Sequence, residues 1–224
     1  MRQYFDEELA DLDTSFKEMG LLVSETLENA VQAFLDHNRQ AAQDIIDGDK
    51  AINQREIALE KKTFEMIALY QPVTTDLREI VTVLKAVSVL ERIGDNARNI
   101  ALSTIHVKGN KRVAAIEEKV GMTGSTVAKM VSDVLDYYVN DDAVSAEAIA
   151  QVAMSVSDVT GEIREMAIDA MKSDPELVTA STDYLVVAGY LKRTSDYVTD
   201  IAEWIIYKRT GKIVELNPGM SSFI

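Results

Sequence analysis

The chain contains no cysteine, only three prolines and ten glycines, and few aromatic residues (6%) among its 224 positions. Without cysteine there is no disulfide framework, no thiolate metal site and no cysteine nucleophile. Scarce aromatics and an abundance of Ala, Leu, Glu and Lys disfavour sheet and favour helix. No stretch approaches the roughly 18 apolar residues that a membrane span requires. Met1 runs straight into Arg2-Gln3-Tyr4-Phe5-Asp6-Glu7-Glu8 with no apolar signal core, so secretion is not expected and a cytoplasmic location is. Basic charge is also short, with 23 Lys and Arg against 37 Asp and Glu, a net charge of −14. Its clusters, Lys108, Lys111 and Arg112, then Lys208, Arg209 and Lys212, flank predicted helix ends, where cations complement the helix dipole. Neither nucleic acid nor anionic lipid is an expected partner.

The usual catalytic signatures are missing as well. There is no Gly-rich phosphate loop, no G-x-S-x-G elbow and no histidine-based triad. The two histidines, His37 and His106, have Phe34 and Ser103 three positions before them, so the Glu-x-x-His motif of di-iron bundles is absent. Both fall at predicted helix ends and read as surface residues.

What the chain does have is helical periodicity. From about 6 to 36, Leu9, Leu12, Phe16, Met19, Val23, Leu27, Val31 and Phe34 recur on one face. From about 39 to 70, Ile45, Ile52, Leu59 and Met66 recur every seven residues before Pro72 ends the helix. From about 74 to 107, Val83, Val87, Leu90, Ile93, Ala97 and Ile100 share a face, and Gly109-Asn110 then serves as terminator and cap. Three more helices are expected at about 110–140, 143–172 and 175–209. Asp174-Pro175-Glu176 opens the last, and Gly121 and Gly124 should weaken the fourth. The nine methionines and Trp204 read as packing residues. The fold class is all-α: two tandem three-helix bundles, residues 1–107 and 108–210, each helix roughly 45 Å long at about 1.5 Å per residue. A poorly ordered tail, 211–224, is expected to follow.

The two halves are copies. Residues 90–101 and 191–202 both read Leu-x-Arg-x-x-Asp-x-x-x-(Asn or Asp)-Ile-Ala, with five identities and Asn99 opposite Asp200. On a helix, Glu91, Asp95 and Asn99 lie one turn apart on a single face, as do Lys192, Asp196 and Asp200, with Glu203 close by. Carboxylates spaced by one turn converge on a hard divalent cation, or on an iron-type ion. Equally, such residues form an ordinary solvated face, although repetition of Asp95 at Asp196 favours function. A weaker stripe, Asp49, Asn53, Glu56 and Glu60, lies on the second helix and could supply further ligands.

At these residues the chain resembles the PhoU family. Leu90-Glu91-Arg92-Ile93-Gly94-Asp95 with Asn99-Ile100-Ala101 matches the family signature, and Gln71-Pro72-Val73-Thr74-Thr75-Asp76-Leu77-Arg78 matches its link into the third helix. The N-terminal Phe5-Asp6-Glu7-Glu8-Leu9 and Met19-Gly20 are similar too. The resemblance implies two three-helix bundles and a cytosolic, non-enzymatic negative regulator of phosphate uptake and phosphate-starvation signalling. Its implied partners are the ATPase of the phosphate ABC transporter and a sensor histidine kinase. It also implies metal on (Glu or Asp)-x-x-x-Asp motifs: Glu91 and Asp95 match the first, whereas Lys192 replaces the acidic residue of the second. Leu102 departs from a glutamate common in the family, which Glu203 keeps. A carboxylate-ligated metalloenzyme and a helical scaffold unrelated to phosphate are the alternatives. Apolar Leu77, Val81 and Leu84 beside the main stripe suggest a homodimer, without direct membrane insertion.

Overall fold

The computed structural model describes residues 2–107 and 111–216. Six long helices account for nearly all of it: α1 Arg2–Leu35, α2 Arg39–Tyr70, α3 Thr74–His106, α4 Ala114–Val139, α5 Ala143–Ser173 and α6 Val178–Thr210. Among the described residues there is no strand. Local chemistry sets the boundaries. Asn38 caps α2 by accepting from the Ala41 amide, and Gln71 ends it in the left-handed region (φ 47°) immediately before Pro72. Asp142 caps α5 through the Ser145 amide. Asp174 accepts from the Glu176 amide, so the Asp-Pro-Glu start acts as expected, but it opens a 3₁₀ turn, Pro175–Leu177, before α6 proper. The expected Gly109-Asn110 cap lies outside the described residues. Helix α4 starts after Val113, which makes no side-chain cap, so it begins later than expected.

Each half is a three-helix bundle, α1–α2–α3 and α4–α5–α6, and the bundles pack through counterparts, α1 against α4 and α3 against α6. The four inner helices thus form one block, with α2 and α5 on its flanks. A single apolar cluster runs through both halves, from Phe16, Leu27 and Leu90 to Val131, Leu191 and Ile205. The predicted stripes are the buried faces: Leu12, Phe16, Met19, Val23, Leu27 and Phe34 of α1 are fully enclosed. Edge-to-face pairs bridge the bundles, Phe16 with Tyr138 (4.8 Å) and Phe34 with Tyr184 (6.1 Å).

Gly124 does not break α4. A Cβ there would stand 2.5 Å from Cγ1 of Val31 on α1, so the missing side chain lets the two helices approach closely. The tail also differs from expectation. Gly211 (φ 73°) closes α6, and the chain turns back so that Leu216 packs on the core and its amide donates to Glu203 (2.8 Å). Residues 217–224 lie outside the described part.

Candidate functional site

On α3 the apolar stripe faces inward, and Glu91, Asp95 and Asn99 lie on the side turned toward the flank, where each is half-buried rather than solvated. Helix α2 runs antiparallel beside α3, and its heptad stripe of Ile52, Leu59 and Met66 packs into the core. The rotation that buries that stripe carries Asp49, Asn53, Glu56 and Glu60 to the α2–α3 groove. The candidates from two helices therefore meet. Burial pushes the Glu91 carboxyl up to about 7, helped by the carboxylates of Asp95, Glu56 and Asp49 and opposed by Arg92. Asp49 and Glu56 are raised by burial, then by Asp95 and Glu60 respectively. The groove is a concentration of negative charge held together against its own repulsion.

The countercharges are thin. Arg98 Nε lies 4.0 Å from Asp49 Oδ2, and the Ser88 hydroxyl donates to Glu60 (3.2 Å). Asn53 donates weakly to Asp49 at 3.4 Å. The remaining oxygens, Asp49 Oδ1 and Asn53 Oδ1, are buried without a hydrogen-bond partner. Buried acceptors are ordinarily paired, so two orphans in an acidic groove suit a cation. As the side chains stand, no three carboxylates or histidines among the described residues converge tightly enough to coordinate one ion.

The second signature is built differently. Lys192 Nζ binds Asp196 Oδ2 at 2.8 Å, so an ammonium takes one oxygen of the carboxylate where the first half has Glu91 beside Asp95, and Asp196 Oδ1 is left buried without a hydrogen-bond partner. Asp200 and Glu203 turn away from this pair into a different groove, of about 370 Å³, between α3 and α6. Its walls include Lys85, Arg92, Trp204 and Tyr207, so half-buried Trp204 sits on a groove wall as well as packing edge-to-face on Tyr207. Burial, Glu203 and Asp196 push Asp200 up to about 6, while Arg92 pulls it down. The structure thus unites Glu91 and Asp95 with Asp49 and Glu56, but separates Asp200 and Glu203 from them. Asn99 stays one turn further along α3.

Both histidines are exposed, as expected. His37 lies 3.2 Å from Glu117, and His106 lies 3.2 Å from the buried Asp183. Sequence reasoning missed a polar connection across the inner helices. Tyr138 on α4 donates to Asp13 on α1 (2.5 Å), Lys208 on α6 lies 4.2 Å over the Tyr138 ring, and Lys208 also pairs with Glu79 on α3 (2.7 Å). No spacing in one helix could reveal a link that needs four.

Comparison with known proteins agrees with this architecture. The PhoU domain family matches twice, at residues 16–104 and 123–205. A phosphate-specific transport system accessory protein PhoU homolog of Streptococcus pneumoniae is 34% identical over 97% of this chain and 100% of its own length. The homolog from Clostridium acetobutylicum is 31% identical over 96% of this chain and 99% of its own. The crystal structure of PhoU from Streptococcus pneumoniae superposes with a TM-score of 0.89 at 33% identity, covering 94% of this chain and 99% of that one. That of Pseudomonas aeruginosa PhoU gives 0.88 at 31%, covering 93% and 100%. With two matched domains, six equivalent helices and the signature repeated on α3 and α6, the chain belongs to the PhoU family.

Proposed function

We propose that this protein is an accessory regulator of a phosphate transport system, acting as a cytoplasmic adaptor that damps phosphate uptake and phosphate-starvation signalling. It is not an enzyme: its relatives are transport accessory proteins, and the metalloenzyme alternative is set aside. The observation that carries the reading is the duplicated signature with its half-buried acidic groove, on a scaffold of long helices whose outer faces are free to meet partners. No helix among the described residues is long and apolar enough to cross a membrane, so contact with a transporter would run through a peripheral surface. The partners in this reading are the transporter's ATPase and a sensor histidine kinase. Co-purification of the full chain with these two proteins tests it. Recovery of neither, in high or low phosphate, would remove the adaptor role.

The cation belongs to the same reading. Glu91, Asp95 and Asp49, with Glu56 and Asn53 near, would hold a divalent or iron-type ion, which would supply the positive charge the groove lacks and lock α2 to α3. The second signature, with Lys192 on Asp196, is the poorer site. Metal content should therefore fall more in Asp95→Ala than in Asp196→Ala, when protein is purified without chelator and measured by elemental analysis. Equal loss in both variants would contradict the assignment.

Self-association is part of the proposal too. Ile57 and Phe64 of α2 are 64% and 57% exposed, and the α3 residues Leu77, Val81 and Leu84 are only half-buried. This apolar strip is proposed as a homodimer face. Phe64→Glu should shift light-scattering mass toward monomer, and a wild-type chain that is monomeric at every concentration would refute the dimer.

A further inference from the structure

The two flanking grooves are duplicates, so they can be compared position by position. Helix α3 maps onto α6 with an offset of 101, set by the shared signature. Helix α2 maps onto α5 with an offset of 104, which places buried Ala42, Ile52 and Leu59 on buried Ala146, Val156 and Ile163. Asp49, Glu56, Glu60 and Glu91 then correspond to Ala153, Thr160, Arg164 and Lys192. Asn53 corresponds to Ser157, and Asp95 is retained as Asp196. The register is corroborated by packing. Glu60 accepts from Ser88 in the first half, and their counterparts Arg164 and Gly189 line one groove in the second. Four carboxylates have been replaced by two cations and two neutral residues.

The resulting α5–α6 groove encloses about 430 Å³. Ser157, Arg164 and Lys192 line it, and nothing lies within 4 Å of where a Cβ on Gly161 or Gly189 would stand, so its mouth is open. Arg164 makes no ion pair among the described residues, even though the chain carries a net charge of −14. Glu162, on the same helix, is already held by Lys119 at 2.6 Å. The Ser157 hydroxyl also has no hydrogen-bond partner among the described residues, whereas Thr160 donates to the Ser157 carbonyl (2.9 Å). Lys192 is shared with Asp196, which occupies one of its three protons.

We propose that the α5–α6 groove is an anion site that takes a phosphate group, either free orthophosphate or the terminal group of a phosphate ester. Arg164 offers a planar two-pronged donor set suited to tetrahedral oxyanions, Lys192 adds a point charge and Ser157 a neutral donor. Where the first half concentrates negative charge between α2 and α3, the second places Arg164 and Lys192 between α5 and α6, with Asp196 the carboxylate retained beside them. Anion binding here does not depend on a cation in the first half, and chelator-treated protein keeps the two apart.

Isothermal titration of the full chain with orthophosphate, AMP and chloride tests the site. One saturable phosphate-binding site per chain is expected, with no saturable response to chloride. Arg164→Gln and Lys192→Gln should each weaken it by about tenfold or more, as loss of a charge-assisted hydrogen bond does. Lys129→Gln, at an exposed α4 lysine paired with Asp133, should leave it unchanged. Both test positions lie on the groove surface, so each variant should keep its helix content, which circular dichroism checks. Saturation by AMP but not orthophosphate assigns the site to esters. Absence of saturable binding for both, or binding that survives Arg164→Gln together with Lys192→Gln, overturns the proposal.

Discussion

A carboxyl whose pKa moves from 4.5 up to about 7 on folding binds a proton more tightly in the native chain than in the unfolded one. For Glu91 the stabilising contribution is therefore complete below about pH 4.5 and is lost as pH rises through about 7. Above that, the folded protein carries a charge it would rather not carry. Glu91→Gln removes the charge, so in chelator-treated protein the variant should be more stable than wild type at pH 8. The gain should be on the order of 1 kcal/mol, discounted because the side chain keeps substantial solvent exposure. At pH 4 the difference should vanish. Denaturant melts at the two pH values check this, and a variant less stable at pH 8 would show that the carboxylate is favourably paired instead. Asp200, pushed up to about 6, has the same sign with its loss centred lower. That Glu91 is a candidate is legible from its place one turn before Asp95, the carboxylate that the repeat keeps as Asp196. That it is half-buried among carboxylates of α2 is not, because periodicity within one helix fixes a face but not what the neighbouring helix brings to it.

Among the elements, glycine separates what propensity predicts from what packing decides. Gly48 and Gly124 both sit inside helices, and by propensity each costs about 1 kcal/mol relative to alanine. Nothing lies within 4 Å of a Cβ at Gly48, so Gly48→Ala should stabilise by about 0.5–1 kcal/mol. At Gly124 the new methyl would press on Val31, a β-branched residue with little freedom to yield, so Gly124→Ala should destabilise by about 1–2 kcal/mol net of propensity. Thermal melts yielding the same sign for both would mean that the α1–α4 approach is looser than the structure shows. The same distinction explains which elements are readable. Helix α2 runs to its predicted ends because Asn38 and Gln71-Pro72 are local signals. The start of α4 is misplaced because Val113 offers no cap. The glycines of α4 read as weakness because the partner that needs them, α1, is about a hundred residues away in sequence. Spacing alone groups Asp200 and Glu203 with Asp196, yet they continue round α6 into a groove that α3 completes.

In the whole molecule, the repeat makes it tempting to treat residues 1–107 and 108–210 as independent domains, and the packing argues otherwise. The apolar cluster is continuous across both halves. Phe16 and Phe34 of the first half close on Tyr138 and Tyr184 of the second, and buried Asn96 donates to Thr194 (3.1 Å) between the two signature helices. At one end Asp13, Tyr138, Lys208 and Glu79 join four helices by polar interactions, several of them shielded from water. Cutting the chain at residue 107 would expose the inward faces of α1 and α3 together with unpaired Asn96. Stripping a large buried aromatic of its packing costs about 3–5 kcal/mol, and here two such pairs are severed at once. That is a large share of the roughly 5–15 kcal/mol by which a domain of ordinary stability stays folded. The full chain should consequently melt in a single calorimetric transition, with van't Hoff and calorimetric enthalpies equal. A fragment of residues 1–107 should lose helix content or self-associate through its exposed face. A monomeric fragment with full helicity and its own sharp transition would show that the halves fold separately, and that α1–α4 and α3–α6 merely dock.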